Sequence, residues 1–254
     1  MFTVVTGFFD IGRSEWDDIY KRSTNDYLKY FKNMLSLKVN MFIFIELVHF
    51  DFVKNIRDSI PCKTTIVVMK QSELYMYQYL DKIKQIQYSN DYAVGHPNKK
   101  APEICHPLYN VVTCSKMDLI SKAAIIENEC EYFIWMDAGY THNTVDFTNL
   151  NWNPTQLFQH KDKICFIALQ SLDVVKNDPK DFFLQYIDVI IGGFFGGYKN
   201  TILQVRNLYY NLVLEMFDIG IKDDDQFYNT ILVKRYPELF KIYIANWYDA
   251  ILFT

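Results

Sequence analysis

The chain lacks any run of about 18 consecutive apolar residues, the minimum for a membrane-spanning helix, so no transmembrane segment is expected. Its start, Met1 to Phe9, lacks the basic region and cleavage site of a signal peptide and reads as the first strand of the fold. A cytoplasmic protein is expected, with peripheral contact at a membrane left open. A CxxC pair is also missing. The five cysteines, Cys62, Cys105, Cys114, Cys130 and Cys165, are an odd count, which argues against a zinc site and fits a reduced, intracellular compartment. There is no basic arm and no long charge block, and the net charge is −4. Generic nucleic-acid binding through phosphate neutralisation is thereby excluded. No GxGxxG spacing, no phosphate loop ending in Lys-Ser/Thr and no paired-His metal motif occurs. No Pro- or Gly-rich linker or internal repeat divides the 254 residues, so one domain over 1–254 is expected.

What the chain does have is ordinary globular composition, half hydrophobic and 22% charged, with 19 Tyr and 20 Phe that read chiefly as bulky core. Strands are expected at Phe2–Thr6, Met41–Leu47, Thr64–Met69, Tyr132–Met136, Ile164–Leu169, Val189–Ile191 and Phe240–Ala245. Helical spacing covers Tyr20–Leu37, Leu74–Ile86, Leu108–Glu127, Thr201–Phe217 and Gln226–Lys234. This alternation predicts an α/β fold with a mostly parallel central sheet flanked by helices. The polar stretch Ser89–Pro107 is too long for a connector and reads as a lid or binding loop.

Four stretches carry candidate chemistry. Tyr132-Phe133-Ile134-Trp135-Met136-Asp137-Ala138-Gly139 ends an apolar strand on one carboxylate followed by two small residues, at the strand end where open α/β sheets bind ligands. Such a carboxylate suits a hard divalent cation, though a cap or turn former reads equally well from this motif alone. Gly192-Gly193-Phe194-Phe195-Gly196-Gly197 reads as a loop whose backbone faces a sugar or acceptor, against a structural bulge. Asp223-Asp224-Asp225-Gln226 stands at a helix start and reads either as a solvated cap or as carboxylates for acid–base work, with Asp223 expected to be solvated. Thr6-Gly7-Phe8-Phe9-Asp10-Ile11-Gly12-Arg13 leaves the first strand, and Arg13 has the forked geometry for a diphosphate or is an ordinary surface arginine. Lys116 is evenly balanced between a phosphate contact and a solvated surface residue. Trp247 stacks on a sugar or packs in the core, and His142, alone after the Asp137 turn, reads as a surface group.

Together these stretches resemble the HtrL/YibB family of bacterial and viral glycosyltransferase-like proteins. They occur in family order over most of the chain, and the FxWMDxG element is the most specific. The resemblance implies a GT-A-like (Rossmann-like) domain that uses a nucleotide-sugar, a UDP-sugar, with Mn²⁺ or Mg²⁺. Thr6, Gly7, Phe8, Phe9, Arg13, Lys116, Asp137 and Ala138 would contact the nucleotide, and Gly139, Gly192, Gly193 and Trp247 the sugar or acceptor. Asp225, Asp224 and Gln226 would carry the chemistry. Asp137 and the Gly139 position would form the metal corner, where Gly139 replaces the second carboxylate of the usual Asp-any-Asp motif and the chain has no histidine after His160 to complete the shell. The expected function is sugar transfer to a glycan, lipid-linked saccharide or protein acceptor, as in polysaccharide biosynthesis. The alternative is a catalytically weak or inactive nucleotide- or partner-binding relative, with a metal-dependent hydrolase third.

Overall fold

In the computed structural model of the chain, which describes residues 1–253, the apolar runs assemble into a seven-stranded sheet. The strands are β1 (Phe2–Phe8), β2 (Asn40–Ile45), β3 (Thr64–Val68), β4 (Tyr132–Met136), β5 (Ile164–Ala168), β6 (Ile190–Tyr198) and β7 (Phe240–Ile244). Their order is β3-β2-β1-β4-β6-β5-β7. Paired neighbours run parallel except β6, which is antiparallel to both β4 and β5. The expected α/β class and mostly parallel sheet are borne out. Strands alternate in the direction of their side chains, so a sheet covered on both sides needs apolar residues at every position. In β4, Phe133 and Trp135 belong to the core on one face, and Ile134 and Met136 to the core on the other.

The helices are α1 (Thr24–Leu35), α2 (Phe50–Arg57), α3 (Leu80–Gln87), α4 (Pro102–Cys105), α5 (Pro107–Cys114), α6 (Lys116–Ile126), α7 (Pro179–Gln185), α8 (Lys199–Asp218) and α9 (Asp225–Arg235). Residues of α6, α8 and α9 share a core with Phe133 and Trp135, while Phe31 and Met34 of α1 share the opposite core with Ile134 and Met136. Local chemistry sets several helix starts. The Ser23 hydroxyl accepts from Asp26 N before α1, and the Asp178 carboxylate accepts from Lys180 N and Asp181 N before α7.

The structure corrects two expectations from the sequence. The single helix expected over Leu108–Glu127 is broken at Ser115 into α5 and α6. The Tyr210 hydroxyl enters the break, donating to Cys114 O at 3.0 Å and accepting from Asp118 N at 3.1 Å. Ser115 Oγ donates to Val111 O and accepts from Met76 N. Side chains inserted into the backbone ladder are an established cause of such breaks. Second, the Gly-rich run is a strand, the antiparallel β6, rather than a loop. Gly196 and Gly197 face Ile134 and Phe133 of β4, and a Cβ on Gly196 would lie 3.0 Å from Ile134 Cγ1 and 3.1 Å from the Phe133 carbonyl oxygen. These two glycines serve close strand packing. The short helix α2 has no counterpart in the sequence reading.

Because a carbonyl oxygen cannot yield as a side-chain tip can, Gly196→Ala should overpack the sheet and cost about 1–3 kcal/mol. Thermal denaturation should show a fall of about 2–4 °C per kcal/mol for a chain of this size. An unchanged melting temperature would show that the β4–β6 spacing is not set by this residue.

Candidate active site

The carboxyl ends of β1 and β4 open onto a cleft of about 540 Å³, within the range of small-molecule sites. Asp137, directly after β4, is its floor, with 37% of its side chain exposed. Its backbone N–H donates to Gly193 O at 2.9 Å, extending the β4–β6 pairing by one step, and Trp135 Nε1 donates to Asp137 Oδ1 at 2.7 Å. The carboxylate is thus oriented by its own strand, which a simple turn former would not need.

Lys116 fills the space behind it. The helix break at Ser115 puts Lys116 at the first position of α6, buried, with Nζ 3.1 Å from Asp137, 3.0 Å from Asp225 and 3.0 Å from Gly192 O. Burial alone would push this ammonium's pKa down, but the two carboxylates outweigh it and hold it raised. The solvated alternative for Lys116 is thereby corrected: it is buried and joins two carboxylates.

Asp225 opens α9 and is buried. Its Oδ2 meets the Lys116 ammonium as an ion pair at 3.0 Å. Gln226 Oε1 is buried and unpartnered among the described residues. Asp224 caps α9 by accepting from Gln226 N at 3.0 Å, and Gln226 Nε2 lies 3.3 Å from its other oxygen. Burial pushes Asp224 up to about 7, with Glu103 adding to it, and pushes Asp225 up to about 7 against the pull of Lys116. Asp223, expected to be solvated, is half-buried on the cleft wall. Its carboxylate accepts from Asp224 N at 2.7 Å, and burial holds its pKa well above the ordinary range.

The glycines at the cleft make room for the protein's own side chains. A Cβ on Gly192 would lie 2.5 Å from Asp225 Oδ2, and one on Gly193 3.1 Å from the Tyr140 ring and 3.6 Å from Asp137 Oδ2. Gly192 and Gly193 both line the cleft, and at Gly192 the volume a side chain would take is filled by Asp225. Gly7, Phe8, Phe9, Ala138, Gly139 and Trp247 all line the cleft. Thr6 does not: it is fully buried within β1. Arg13 lines the cleft and is no ordinary surface arginine. Its Nε donates to Tyr20 O at 2.8 Å, its Nη1 to the Tyr27 hydroxyl, and its guanidinium lies 5.0 Å from the Trp16 ring centre.

Sequence reasoning missed Arg22, Glu103, Tyr109 and Tyr140, all of which line the cleft. Glu103 lies in the polar stretch read as a lid, and that was the available signal. The stretch is pinned as a wall: His106 stacks on Trp16 at 3.6 Å, Asn98 Nδ2 donates to Tyr20 and Tyr186 hydroxyls, and buried Lys222 donates to Glu103 O and Ile104 O. No signal pointed to Arg22, a polar residue in an irregular segment.

The expected metal corner does not assemble from these residues. Among the described residues no three His, Cys, Asp or Glu side chains converge as a cation site. Gly139 offers no side chain, and its carbonyl accepts from His142 N. His142 has both ring nitrogens engaged, by Arg22 and by the Tyr248 hydroxyl. Asp137 already faces the Lys116 ammonium. Among the described residues no helix is long and apolar enough to cross a membrane.

The family described as "Bacterial protein of unknown function (HtrL_YibB)" matches residues 1–254. Protein HtrL of Escherichia coli (strain K12) is 27% identical over 264 residues, covering 97% of this chain and 90% of that protein. Among solved structures, mouse xyloside xylosyltransferase 1 in its apo form aligns with a TM-score of 0.48 at 13% identity, over 95% of this chain and 84% of its own. The 4-diphosphocytidyl-2C-methyl-D-erythritolsynthase of Anaerococcus prevotii DSM 20548 aligns at 0.40 and 11% identity, over 95% and 86%. Both superpositions are too loose to carry a functional argument.

Two outcomes test the geometry. Gly192→Ala and Asp225→Ala should couple, the double variant being less destabilised than the sum of the singles by roughly 0.5–3 kcal/mol, because the clash exists only while both side chains are present. Additive denaturation energies would place Asp225 elsewhere. The second concerns pH. The folded-state pKa of Asp225, about 7, lies above its ordinary 3.8. The folded state therefore holds that proton more tightly within this window, and wild-type stability from this group falls as pH rises through it. Asparagine does not titrate, so the melting temperature of Asp225→Asn minus that of wild type should grow by about 2 °C or more between about pH 5 and pH 8. A flat or opposite difference would contradict the burial of this carboxyl.

Proposed function

The chain belongs to the HtrL_YibB family, and from that premise we propose that it is a GT-A-like glycosyltransferase, moving a sugar from a nucleotide-sugar, a UDP-sugar, to a saccharide-type acceptor. The observation that carries this reading is the line of Asp137, Lys116 and Asp225 at the carboxyl ends of the sheet, opening onto a cleft that Arg13 also lines. Ligands of open α/β sheets bind at that edge, and the cleft combines cations for phosphate with buried carboxyls for proton transfer.

In the proposed reaction the bond between the anomeric carbon and the β-phosphate oxygen breaks, and its electrons leave with the nucleoside diphosphate. The acceptor hydroxyl oxygen bonds to the anomeric carbon and loses its proton. Asp225 is the residue suited to that carbon or proton: it lines the cleft with the Lys116 ammonium 3.0 Å from its Oδ2, and a carboxyl pushed up to about 7 can both hold and release a proton near neutrality. Asp224 is committed to capping α9 and fixes the position of Gln226. Arg13, anchored through Nε and Nη1, presents its remaining N–H groups to the diphosphate. Trp247 and Tyr140 supply aromatic surface on the cleft wall for a sugar face.

Gly139 at the position of the usual second carboxylate favours the other reading, a nucleotide-binding relative with little or no turnover. Hydrolysis or transfer from a panel of UDP-sugars separates the two. On the transferase reading, Asp225→Asn should lower kcat by about 10²–10⁴-fold with donor affinity little changed. Turnover that survives this substitution in a folded protein would remove Asp225 from the chemistry, and UDP binding without turnover of any donor would leave the binding protein.

A further inference from the structure

The geometry points to a donor site in which two fixed side-chain cations, Arg13 and Arg22, meet the charge of the diphosphate, so that the donor binds without a divalent metal ion. This inference rests on the nucleotide-sugar reading above.

The first observation is an imbalance of partners. Arg206 and Arg235 pair with Asp118 and Glu215. Arg13 and Arg22, half-buried on the cleft wall, have no carboxylate within ion-pair distance among the described residues. Half-burying a guanidinium without a counter-charge costs free energy, and an anion in the cleft would recover it. Their spare donors are plentiful. Arg13 uses Nε and Nη1, Arg22 uses Nη1 on His142 Nε2 at 3.1 Å, and each guanidinium carries five N–H groups.

The second observation is that these cations form one built surface with the Asp137 turn. Arg22 N donates to Arg13 O at 3.3 Å, tying the two arginines together through the backbone. Arg22 then grips His142, whose own N–H donates to Gly139 O at 3.0 Å. The forks are therefore mechanically linked to the turn where a metal-bridged diphosphate was expected to sit.

The third is the state of Asp137 itself. A divalent ion needs oxygen ligands and repels a neighbouring cation. Asp137 is a single carboxylate, bonded to Trp135 Nε1 and in contact with the Lys116 ammonium. Gly139 contributes no second carboxylate. Lys116 is buried at a fixed distance from Asp137, Asp225 and the Gly192 carbonyl, so its ammonium already stands beside Asp137 where a divalent ion would need to approach. Bidentate arginines then provide the geometric selection that a bridging metal would otherwise give.

The test is calorimetric titration of the full chain with UDP, and separately GDP, in EDTA and then in excess MnCl₂. The expected result is binding of at least one of the two in EDTA, with an affinity changed by no more than about threefold when Mn²⁺ is added. Electron paramagnetic resonance of the nucleotide-free protein should show manganese remaining free. Arg22→Ala should weaken binding in EDTA by about tenfold or more, and Arg22→Lys should restore it only in part, because the fork is lost. Melting curves establish that both variants are folded. Binding that appears only with Mn²⁺ would overturn the metal-free site while leaving the donor reading standing. Unchanged affinity in folded Arg22→Ala would overturn the role of the arginine pair. Absence of nucleotide binding in both media would overturn the donor reading and this inference with it.

Discussion

The ammonium of Lys116 is the interaction on which the rest of the site depends. It joins three elements that are far apart in sequence: the end of β4 through Asp137, the start of α9 through Asp225, and β6 through the Gly192 carbonyl. Removing a lysine from water costs several kcal/mol, and good geometry to its partners is required to offset that cost. The fold supplies the geometry in two places. Tyr210 and Ser115 break what would have been one helix, which sets Lys116 at the head of α6. Gly192 leaves the space into which the Asp225 carboxyl descends to meet it. Loss of the lysine would strand two carboxylates together in a buried corner, where breaking a buried ion pair typically costs about 3–5 kcal/mol. The pair is better understood as fixing a unique arrangement of strand end and helix start than as a source of stability.

The antiparallel strand β6 is the second constraint, and its four glycines divide by position. Gly196 and Gly197 lie against β4 and β5, where Ile134, the Phe133 carbonyl and Ile164 approach closely. Gly192 and Gly193, at the cleft end, admit Asp225, Tyr140 and Asp137. One short sequence thus brings the sheet together at one end and opens room for acidic and aromatic groups at the other. Neighbouring Phe194 and Phe195 point to opposite faces and recover the apolar burial that the glycines forgo.

Much of this was legible in the residues. Apolar runs located six strands and the first two residues of β6, because a strand covered on both faces must be apolar throughout, and the carboxylate ending Tyr132–Met136 stood out for the same reason. Asp224 and Asp225 declared themselves as a helix start. What stayed hidden depended on contacts across the chain. Nothing near Lys116 announces that Tyr210, 94 positions later (210 − 116), will interrupt its helix. The glycine run reads as a loop because glycine is a poor strand former on average; its reason for being a strand lies in Ile134 and Asp225. Arg22 sits in an irregular polar stretch, and its place beside Arg13 and His142 follows from the three-dimensional course of that segment. Thr6 failed in the opposite way: alternation along β1 turned it into the interior and left Gly7 and its successors at the cleft.

The electrical character of the cleft follows from burial more than from composition. A count of residues suggests an acidic site, with Glu103, Asp137 and Asp223–Asp225 on its walls, in a chain of net charge −4. Burial raises the pKa of Glu103 and Asp223, and pushes Asp224 and Asp225 up to about 7. Burial thus favours the neutral form of these four carboxyls, and interacting groups of this kind titrate as a set rather than singly. Lys116 is shifted the other way, toward holding its proton. On the transferase reading proposed above, an anionic diphosphate would lie beside these buried carboxyls, which would hold or release the proton of the reacting groups. On that reading the same desolvation would lessen the repulsion facing an anionic donor and bring a carboxyl pKa to the working range of acid–base catalysis.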